Sequence, residues 1–250
     1  MSGRDPTTSS RSGEKAAFQN TLWSRVFAAG RSDTVRSAQA MEELCRLYWY
    51  PLYAFLRRTG RDSHQARDLT QGFFHYLLKG DLLQKADPAR GRFRSFLLGT
   101  LKNFVSHELE KEQSQRRGGG AQIVSIDEET AEGQYAHEPA SELTPEKIFE
   151  RRWALTVLDE AVRRLREEYV RAGMSDLILA IEPYLSGDGD VSFAELGVRL
   201  GRSEGAARTL VCRFRERFRQ LIRAVIGDTV NDLEQVEVEL KHLQAALREG

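Results

Sequence analysis

Residues 191–226, VSFAELGVRLGRSEGAARTLVCRFRERFRQLIRAVI, constrain the fold of this chain more than any other stretch. Ser192 and Glu195 stand three residues apart at the start of an apolar helical pattern, which is the spacing of a capping box. Gly201 ends that pattern, and Ser203 follows as the N-cap of a second helix. The stretch therefore predicts two helices joined by a short glycine turn, which is a helix-turn-helix.

The second predicted helix has an apolar face and a cationic face. In such motifs the first residues of the second helix reach base edges, and arginines further along neutralise phosphates, so DNA is the expected partner. The alternative is an arginine-rich helix whose outer face is only solvated. The apolar side comprises Ala207, Leu210, Val211, Phe214, Phe218, Leu221, Ile222 and Val225, and the other side with its flank comprises Gly205, Arg208, Thr209, Cys212, Arg213, Arg215, Glu216, Arg217, Arg219 and Arg223.

The rest of the chain has helical periodicity and no regular alternation of β-branched residues, so we expect an all-α fold. An aromatic group between Tyr48 and Phe55 is interpreted as core packing, with a surface for bases or a partner as the alternative. A first predicted helix has Phe18, Leu22, Val26 and Phe27 at helical spacing and ends at Gly30. The next predicted helices cover residues 34–58, with a bend at Pro51, 63–79 and 92–117. They are followed by one that opens at Thr144 and Pro145 and by one over 177–185 that is broken near Pro183.

The charge balance requires any nucleic-acid surface to be local. Lys plus Arg and Asp plus Glu both number 37, so net charge gives no general attraction to DNA. We expect a cytoplasmic protein, because neither a signal peptide nor an apolar run of about 18 residues occurs. Cys45 and Cys212 are expected to be buried or partly buried thiols in a reducing compartment.

No pattern favours an enzyme, a cofactor site or a metal site. The five histidines are scattered, and neither a phosphate-binding glycine loop nor a nucleophile elbow is present. The loop at residues 187–190 places Asp188, Asp190 and Ser192 at alternating positions. It lacks the glycine and the glutamate of a calcium loop, so we interpret it as a turn.

Two blocks of this sequence resemble bacterial RNA polymerase sigma factors of the extracytoplasmic-function type. The first contains YPLYAFLRRTG, QARDLTQGFFHYLL and RGRFRSFLLGTLKNFV and looks like sigma domain two. The second, FAELGVRLGRSEGAARTLVCRFRERFRQLI, looks like sigma domain four. The resemblance implies a non-catalytic protein that binds core RNA polymerase, recognises the minus-ten and minus-thirty-five elements of promoter DNA and helps to open the duplex.

Composition, periodicity and the resemblance together divide the chain into five parts, of which only the two sigma domains follow from the resemblance. Residues 1–14 are expected to form a disordered tail, 15–112 sigma domain two, 113–146 a flexible acidic linker, 147–226 sigma domain four, and 227–250 a C-terminal amphipathic helix. The linker is either a free connection or an acidic strand that imitates the charge of nascent RNA.

Site residues follow from matching positions in the two blocks. The resemblance implies core polymerase contacts at Asp68, Leu69, Gln71 and Phe74. It implies minus-ten contacts at Phe93, Arg94, Phe96, Lys102, Asn103 and His107, where cations beside aromatic rings suit melted DNA. It implies minus-thirty-five contacts at Arg202, Ser203, Glu204, Gly205, Ala206, Arg208 and Thr209, with Arg213 and Arg215 behind them.

The polymerase-binding helix departs from the family pattern. Gln65, Ala66 and Arg67 replace part of an acidic cluster, and Gly72 replaces a later acid. Phosphorylation of Thr70 would restore negative charge there, so control by a Ser/Thr kinase stands beside control by an anti-sigma factor. The alternative is that Thr70 is an ordinary helix residue.

The segment from Asp228 onward has a narrow apolar seam with heptad-like spacing. Docking on the helix-turn-helix domain is the expected role of this helix, and pairing with a partner helix or a second copy is the alternative. Two rival functions remain at this stage. One is a helix-turn-helix regulator that acts without core polymerase, and the other is an adaptor or inhibitor of polymerase. The seam comprises Leu233, Val236, Leu240, Leu243 and Leu247.

Overall fold

The structure is a computed structural model that describes residues 35–79, 82, 92–114, 128–136, 143–185, 192–230 and 233–248. All regular secondary structure in this part of the chain is helical, so the all-α prediction is confirmed there. The predicted tail, the first predicted helix that ends at Gly30, the loop at 187–190 and most of the predicted linker lie outside the described residues. The helices are α1 (Val35–Arg58), α2 (Ser63–Lys79), α3 (Phe93–Ser114), α4 (Glu128–Ala136), α5 (Pro145–Arg171), α6 (Ser175–Ile181), α7 (Phe193–Leu200), α8 (Glu204–Gly227) and α9 (Leu233–Arg248), with a 3-10 turn at Glu182–Tyr184 after α6.

The chain forms two compact units, and the division falls inside α5. The central unit is Val157–Ile226, and the discontinuous unit combines the described residues up to Thr156 with those from Gly227 onward. The C-terminal helix α9 therefore belongs to the discontinuous unit. His242, Ala245 and Ala246 of α9 line a cleft with Lys147, Glu150 and Arg151 of α5, three residues within the range expected for the helix-turn-helix domain (147–226). The expected docking of α9 on that domain stays a prediction, because an amphipathic pattern identifies a buried face but not the surface that covers it.

Aromatic side chains fill the core of the discontinuous unit. Tyr48, Trp49, Tyr53 and Phe55 are each at most 5% exposed, which confirms that the aromatic group packs in the core. Trp49 and Tyr53 stack with ring centroids 5.3 Å apart. Pro51 lies inside α1, as the sequence predicts.

The turn between α1 and α2 is fixed by backbone geometry and by a cap. Gly60 has a φ of 90°, a conformation that residues with a Cβ rarely adopt. Asp62 then caps α2, because its carboxylate accepts a hydrogen bond of 2.8 Å from the Gln65 amide. The Gln65 side chain in turn accepts from the Asp62 amide at 3.4 Å. The sequence pattern also predicts that α2 begins at Ser63, where the helix begins in the structure.

A helix within the predicted linker was missed. In α4, Ala131 is buried and Glu132 accepts hydrogen bonds from Arg57 Nη2 at 2.6 Å and from the Tyr53 hydroxyl at 2.5 Å. The Arg57 guanidinium also lies over the Tyr135 ring, 4.7 Å from its centroid. This segment of the linker is thus anchored on α1. Its composition is acidic with little apolar periodicity, so the sequence pattern did not indicate a helix.

The central unit contains the second half of α5 and the helices up to α8. Thr144 caps α5 with a hydrogen bond of 3.3 Å from the Lys147 amide, and the break near Pro183 occurs where α6 passes into the 3-10 turn. Glu160 is buried in α5 with its carboxylate held by Arg163 and Arg164, so this buried charge is paired. The apolar core comprises Val157, Ala161, Leu165, Ile178, Ile181, Tyr184, Leu196, Ala207, Val211, Phe214, Leu221 and Val225.

Candidate nucleic-acid interface

The start of α7 is a complete capping box. Ser192 Oγ accepts a hydrogen bond of 3.2 Å from the Glu195 amide, and Glu195 Oε2 accepts one of 2.9 Å from the Ser192 amide. These bonds satisfy two backbone donors that the first turn of a helix leaves unpaired. Gly201 ends α7 with a φ of 63°. The two sequence signals for this helix are therefore confirmed.

A close backbone approach joins α7 to the turn before α8. The Arg202 amide donates to the Gly197 carbonyl at 2.8 Å. A Cβ added at Gly197 would lie 2.8 Å from the Arg202 carbonyl oxygen and 3.3 Å from the Glu204 nitrogen. Only glycine fits this contact without displacing backbone. Gly197 lies within the apolar helical pattern between Ser192 and Gly201, but that pattern gave no sign of this role.

The helix α8 presents its two faces as predicted. Ser203 caps it with a hydrogen bond of 3.3 Å from the Ala206 amide. Ala207, Val211 and Phe214 are at most 1% exposed, whereas Arg208, Thr209 and Cys212 on the opposite side are exposed. Six arginines and two glutamates lie along the helix. Its outer surface is therefore strongly cationic in a chain of zero formal net charge.

The first turns of α8 hold one arginine in a defined position. Arg208 Nη2 pairs with Glu204 at 2.9 Å, and its guanidinium lies 4.9 Å from the centroid of the Phe193 ring. These contacts restrict a side chain that is still 63% exposed. Glu204, Gly205, Ala206 and Thr209 are exposed beside it. All lie on one outward surface with Arg202 and Ser203, which we call the α8 surface.

The remaining arginines of α8 differ in what they contact. Arg213 is exposed and has no recorded partner among the described residues. Arg215 is half-buried, and its Nε donates to the Tyr184 carbonyl at 2.8 Å, which ties α8 to the 3-10 turn. Arg217 pairs with Glu168 at 2.6 Å. Arg213 is thus available to a ligand, whereas Arg215 and Arg217 also hold the unit together.

The residues expected at the minus-ten element divide into two groups. Lys102, Asn103 and His107 are exposed on α3, and Phe96 is half-buried. Phe93 and Arg94 are only 3% and 2% exposed. Both side chains lie in the interior of the discontinuous unit, so neither is accessible to DNA in this conformation.

Arg94 is the centre of a buried ionic cluster. Its Nε donates to Glu150 at 2.7 Å, its Nη1 pairs with Glu239 of α9, and its guanidinium lies 4.3 Å from the centroid of the Trp153 ring. Arg92 Nε pairs with Glu239 at 2.9 Å. Burial lowers the pKa of Arg94, and the neighbouring Glu150 only partly opposes this. Sequence reasoning missed the cluster, because the partners come from three helices that are distant in sequence.

The expected polymerase-binding residues of α2 also differ in accessibility. Asp68 is exposed and Leu69 and Gln71 are half-buried, so these three remain candidates. Phe74 is 6% exposed and lies edge-on to Phe73, with centroids 6.0 Å apart, so it contributes to the core of its own unit. Phe74 is therefore not accessible to polymerase in this conformation.

Thr70 and Gly72 have structural explanations. The Thr70 side chain is 0% exposed, and its hydroxyl donates to the Ala66 carbonyl at 2.7 Å. A kinase cannot reach this hydroxyl in this conformation, whereas the phosphorylation hypothesis requires an exposed threonine. A Cβ at Gly72 would lie 3.3 Å from Phe104 Cζ, so an acid there would have to displace a core ring.

In the described ranges no group of three or more His, Cys, Asp or Glu side chains is arranged to hold a metal ion. Within those same ranges, no helix has the length and apolarity required to cross a membrane. Cys45 is half-buried, and burial raises its pKa to about 11, whereas Cys212 is exposed on α8.

Comparison with known proteins finds no match among models of protein families, among curated proteins or among solved structures.

Proposed function

We propose that this chain is an RNA polymerase sigma factor of the extracytoplasmic-function type, which binds core polymerase and directs it to promoters. The observation that supports the proposal best is the α8 surface, where a glycine turn and two capped helices hold an arginine-rich face toward solvent. Helix-turn-helix motifs place such a face in the major groove. The two sequence blocks that resemble sigma domains extend the proposal from DNA binding to promoter recognition.

Within the α8 surface, Arg208 is the proposed base-reading residue. Arginine recognises guanine with two parallel hydrogen bonds, and a side chain already held by Glu204 and Phe193 loses less entropy on binding. Arg202 and Arg213 are assigned to phosphates, since both are exposed cations near the same surface. Arg215 is assigned a mainly structural role, because its Nε donates to the Tyr184 carbonyl and so holds α8 in place.

In the discontinuous unit, the minus-ten contacts are assigned to the exposed side of α3. Lys102, Asn103 and His107 lie there, and Lys102 also pairs with Glu146 at 2.7 Å. Polymerase contacts are assigned to Asp68, Leu69 and Gln71 of α2. Because α2 has fewer acidic residues than the family pattern, its contact with core polymerase should depend less on salt than a contact made by several carboxylates.

The decisive experiment is transcription from genomic DNA fragments by purified bacterial core polymerase, with and without the protein. Discrete new start sites that share two upstream elements are the expected result. Core binding without new starts would favour a polymerase adaptor or inhibitor. Absence of core binding would favour the regulator that acts without polymerase.

Substitutions in the α8 surface test its role on the promoters so found. Arg208→Ala should weaken binding to the upstream element by about 1–3 kcal/mol and relax selection at one base position. Arg213→Ala should instead reduce the salt dependence of binding by about one unit of slope. Arg171→Ala is the control, since it removes an exposed arginine of the central unit outside the motif. Equal effects of all three would contradict the assignment.

Substitutions in α2 separate polymerase binding from DNA binding. Asp68→Ala should lower affinity for core polymerase and leave binding to upstream DNA unchanged. Asp176→Ala, which removes an exposed carboxylate of the central unit, should change neither. A chain that drives no transcription but binds DNA as a dimer would support the rival regulator.

A further inference from the structure

A cleft of about 270 Å³ lies inside the discontinuous unit, where residues of α3, α5 and α9 meet. Its charged lining comprises Arg92, Arg94, Lys147, Glu150 and Arg151, with His242 beside them. Two alanines of α9, Ala245 and Ala246, line the remaining side and leave space that larger side chains would fill. The cleft is therefore small and positively charged.

Two guanidinium groups in this cleft have unused donors. Arg94 is 2% exposed, and its Nη2 has no hydrogen-bond partner among the described residues, although Nε and Nη1 meet Glu150 and Glu239. Arg151 Nη1 is also buried without a partner there. Buried donors of this kind carry a desolvation cost unless an acceptor satisfies them. The two donors thus favour an acceptor that enters the cleft.

The charges identify the acceptor. Four permanent cations face one carboxylate in the lining, and Glu239 adds a second carboxylate that already pairs with Arg92 and Arg94. The excess positive charge favours an anion with several oxygen acceptors. Arginine forks match phosphate oxygens in pairs, and phosphate at neutral pH carries enough charge to balance the excess. The volume suits a group smaller than a drug-sized ligand.

We propose that this cleft is a binding site for phosphate, either free or carried by a small phosphate ester. Arg94 Nη2 and Arg151 Nη1 donate to its oxygens, and Arg92 and Lys147 complete the positive lining. Such a ligand bridges Arg94 of α3 and Arg151 of α5, so its binding stabilises the folded discontinuous unit. This site does not rest on the proposed sigma function, because Arg94 is buried away from the exposed side of α3 and the other residues of the site are not assigned to DNA or polymerase.

The test compares thermal unfolding of the full chain in inorganic phosphate with its unfolding in sodium chloride of equal ionic strength. Calorimetric titration of the chain with each of the two salts measures binding directly. At a hundredfold excess over Kd, phosphate should raise Tm by about 5–10 °C. Ribose 5-phosphate is the second probe. Tighter binding of the ester than of inorganic phosphate would assign the site to an esterified ligand, and the reverse would assign it to the free ion.

Arg151→Met is the informative variant. It should abolish the phosphate-dependent rise in Tm and leave the ligand-free Tm equal or higher, because it removes a buried donor that lacks a partner. Arg152→Met, the neighbouring arginine whose guanidinium lies 5.3 Å from the Tyr50 ring centroid, should keep the rise. If Arg151→Met does not fold, Lys147→Gln at the exposed rim should weaken phosphate binding about tenfold.

Three results would overturn the site. One is no rise in Tm for the wild-type chain beyond that in matched chloride. Another is an unchanged rise in Arg151→Met or, where that variant does not fold, unchanged affinity in Lys147→Gln. The third is that single-stranded DNA displaces phosphate and that Arg151→Met weakens the binding of DNA as much as the binding of phosphate. This result would assign the cleft to the DNA backbone.

Discussion

Glu239 of α9 pairs with Arg94 of α3, and the two side chains are 4% and 2% exposed. The same carboxylate reaches Arg92 at 2.9 Å. One buried acid of the C-terminal helix thus pairs with two arginines, one in the first turn of α3 and one just before it. This pairing explains why an arginine that was expected at the minus-ten element lies in the core.

Removing this acid should destabilise the discontinuous unit. Glu239→Gln leaves Arg94 buried with Glu150 as its remaining carboxylate, and loss of one partner from a buried ion pair costs about 3–5 kcal/mol. Urea unfolding followed by circular dichroism measures the change. Glu237→Gln, an exposed position on the same helix, should change stability by less than about 0.5 kcal/mol. Equal small effects of the two variants would show that the buried pair contributes nothing.

Two glycines of the helix-turn-helix should respond to alanine in opposite directions. Gly197→Ala places a Cβ 2.8 Å from the Arg202 carbonyl oxygen, so it should destabilise the central unit by about 1–3 kcal/mol. Gly205→Ala meets nothing within 4 Å and should stabilise α8 by about 0.5–1 kcal/mol. Thermal unfolding of both variants checks the signs. A stabilised Gly197→Ala variant would contradict the close approach of α7 to the turn.

Thr70 should tolerate loss of its hydroxyl but not gain of a charge. Thr70→Val removes one hydrogen bond, to Ala66, at a cost of about 1 kcal/mol. Thr70→Asp buries a carboxylate at a side chain that is 0% exposed, and should unfold the unit or raise the pKa of that acid strongly. Denaturant unfolding at pH 7 compares the two. A stable Thr70→Asp variant that binds core polymerase more tightly would restore the phosphorylation hypothesis.

The anchoring of α4 on α1 should weaken in acid. Burial acts to raise the pKa of Glu132, but hydrogen bonds from Arg57 and Tyr53 outweigh it and leave the pKa below its ordinary value of 4.5. A carboxylate with a lowered folded pKa contributes stability above the ordinary value, and that contribution is lost as pH falls below 4.5 through the folded pKa. Amide hydrogen exchange across α4 measures the loss.

The Glu132→Gln variant is the control for that pH dependence. Its neutral amide does not titrate, so exchange in α4 should be faster than in the wild-type chain at pH 6 and should change less between pH 6 and pH 3 once intrinsic exchange rates are removed. Identical pH profiles for both proteins would exclude Glu132 as the titrating group.

Local signals in the sequence predicted local structure well. The Ser192 capping box, the Gly201 stop and the start of α2 each depend on residues within one turn of a helix. The burial of Arg94, the helix α4 and the residues that contact α9 were not predicted, and the reason is the same for all three. Their positions depend on Glu239, Arg57 and other partners far away in sequence, and periodicity does not specify which surfaces meet.

The candidate site was predictable to a similar extent. The faces of α8 follow from its 3.6-residue period, so the exposure of Arg208 and the burial of Phe214 were both foreseeable. The period does not distinguish Arg213, which has no recorded partner in the described part of the chain, from Arg215, which binds the Tyr184 carbonyl. The need for glycine at position 197 was also not predictable, because it depends on the path of the backbone from Arg202 to Glu204.

The two parts of the discontinuous unit enclose the central unit in the sequence, and this arrangement sets an order of synthesis. A ribosome that adds about 5–20 residues per second completes α8 before it makes α9, a delay of about 1–5 s for the final segment. Until α9 emerges, Arg94 lacks Glu239 and the ionic cluster cannot close. The discontinuous unit therefore cannot finish folding until the whole of the central unit has been synthesised.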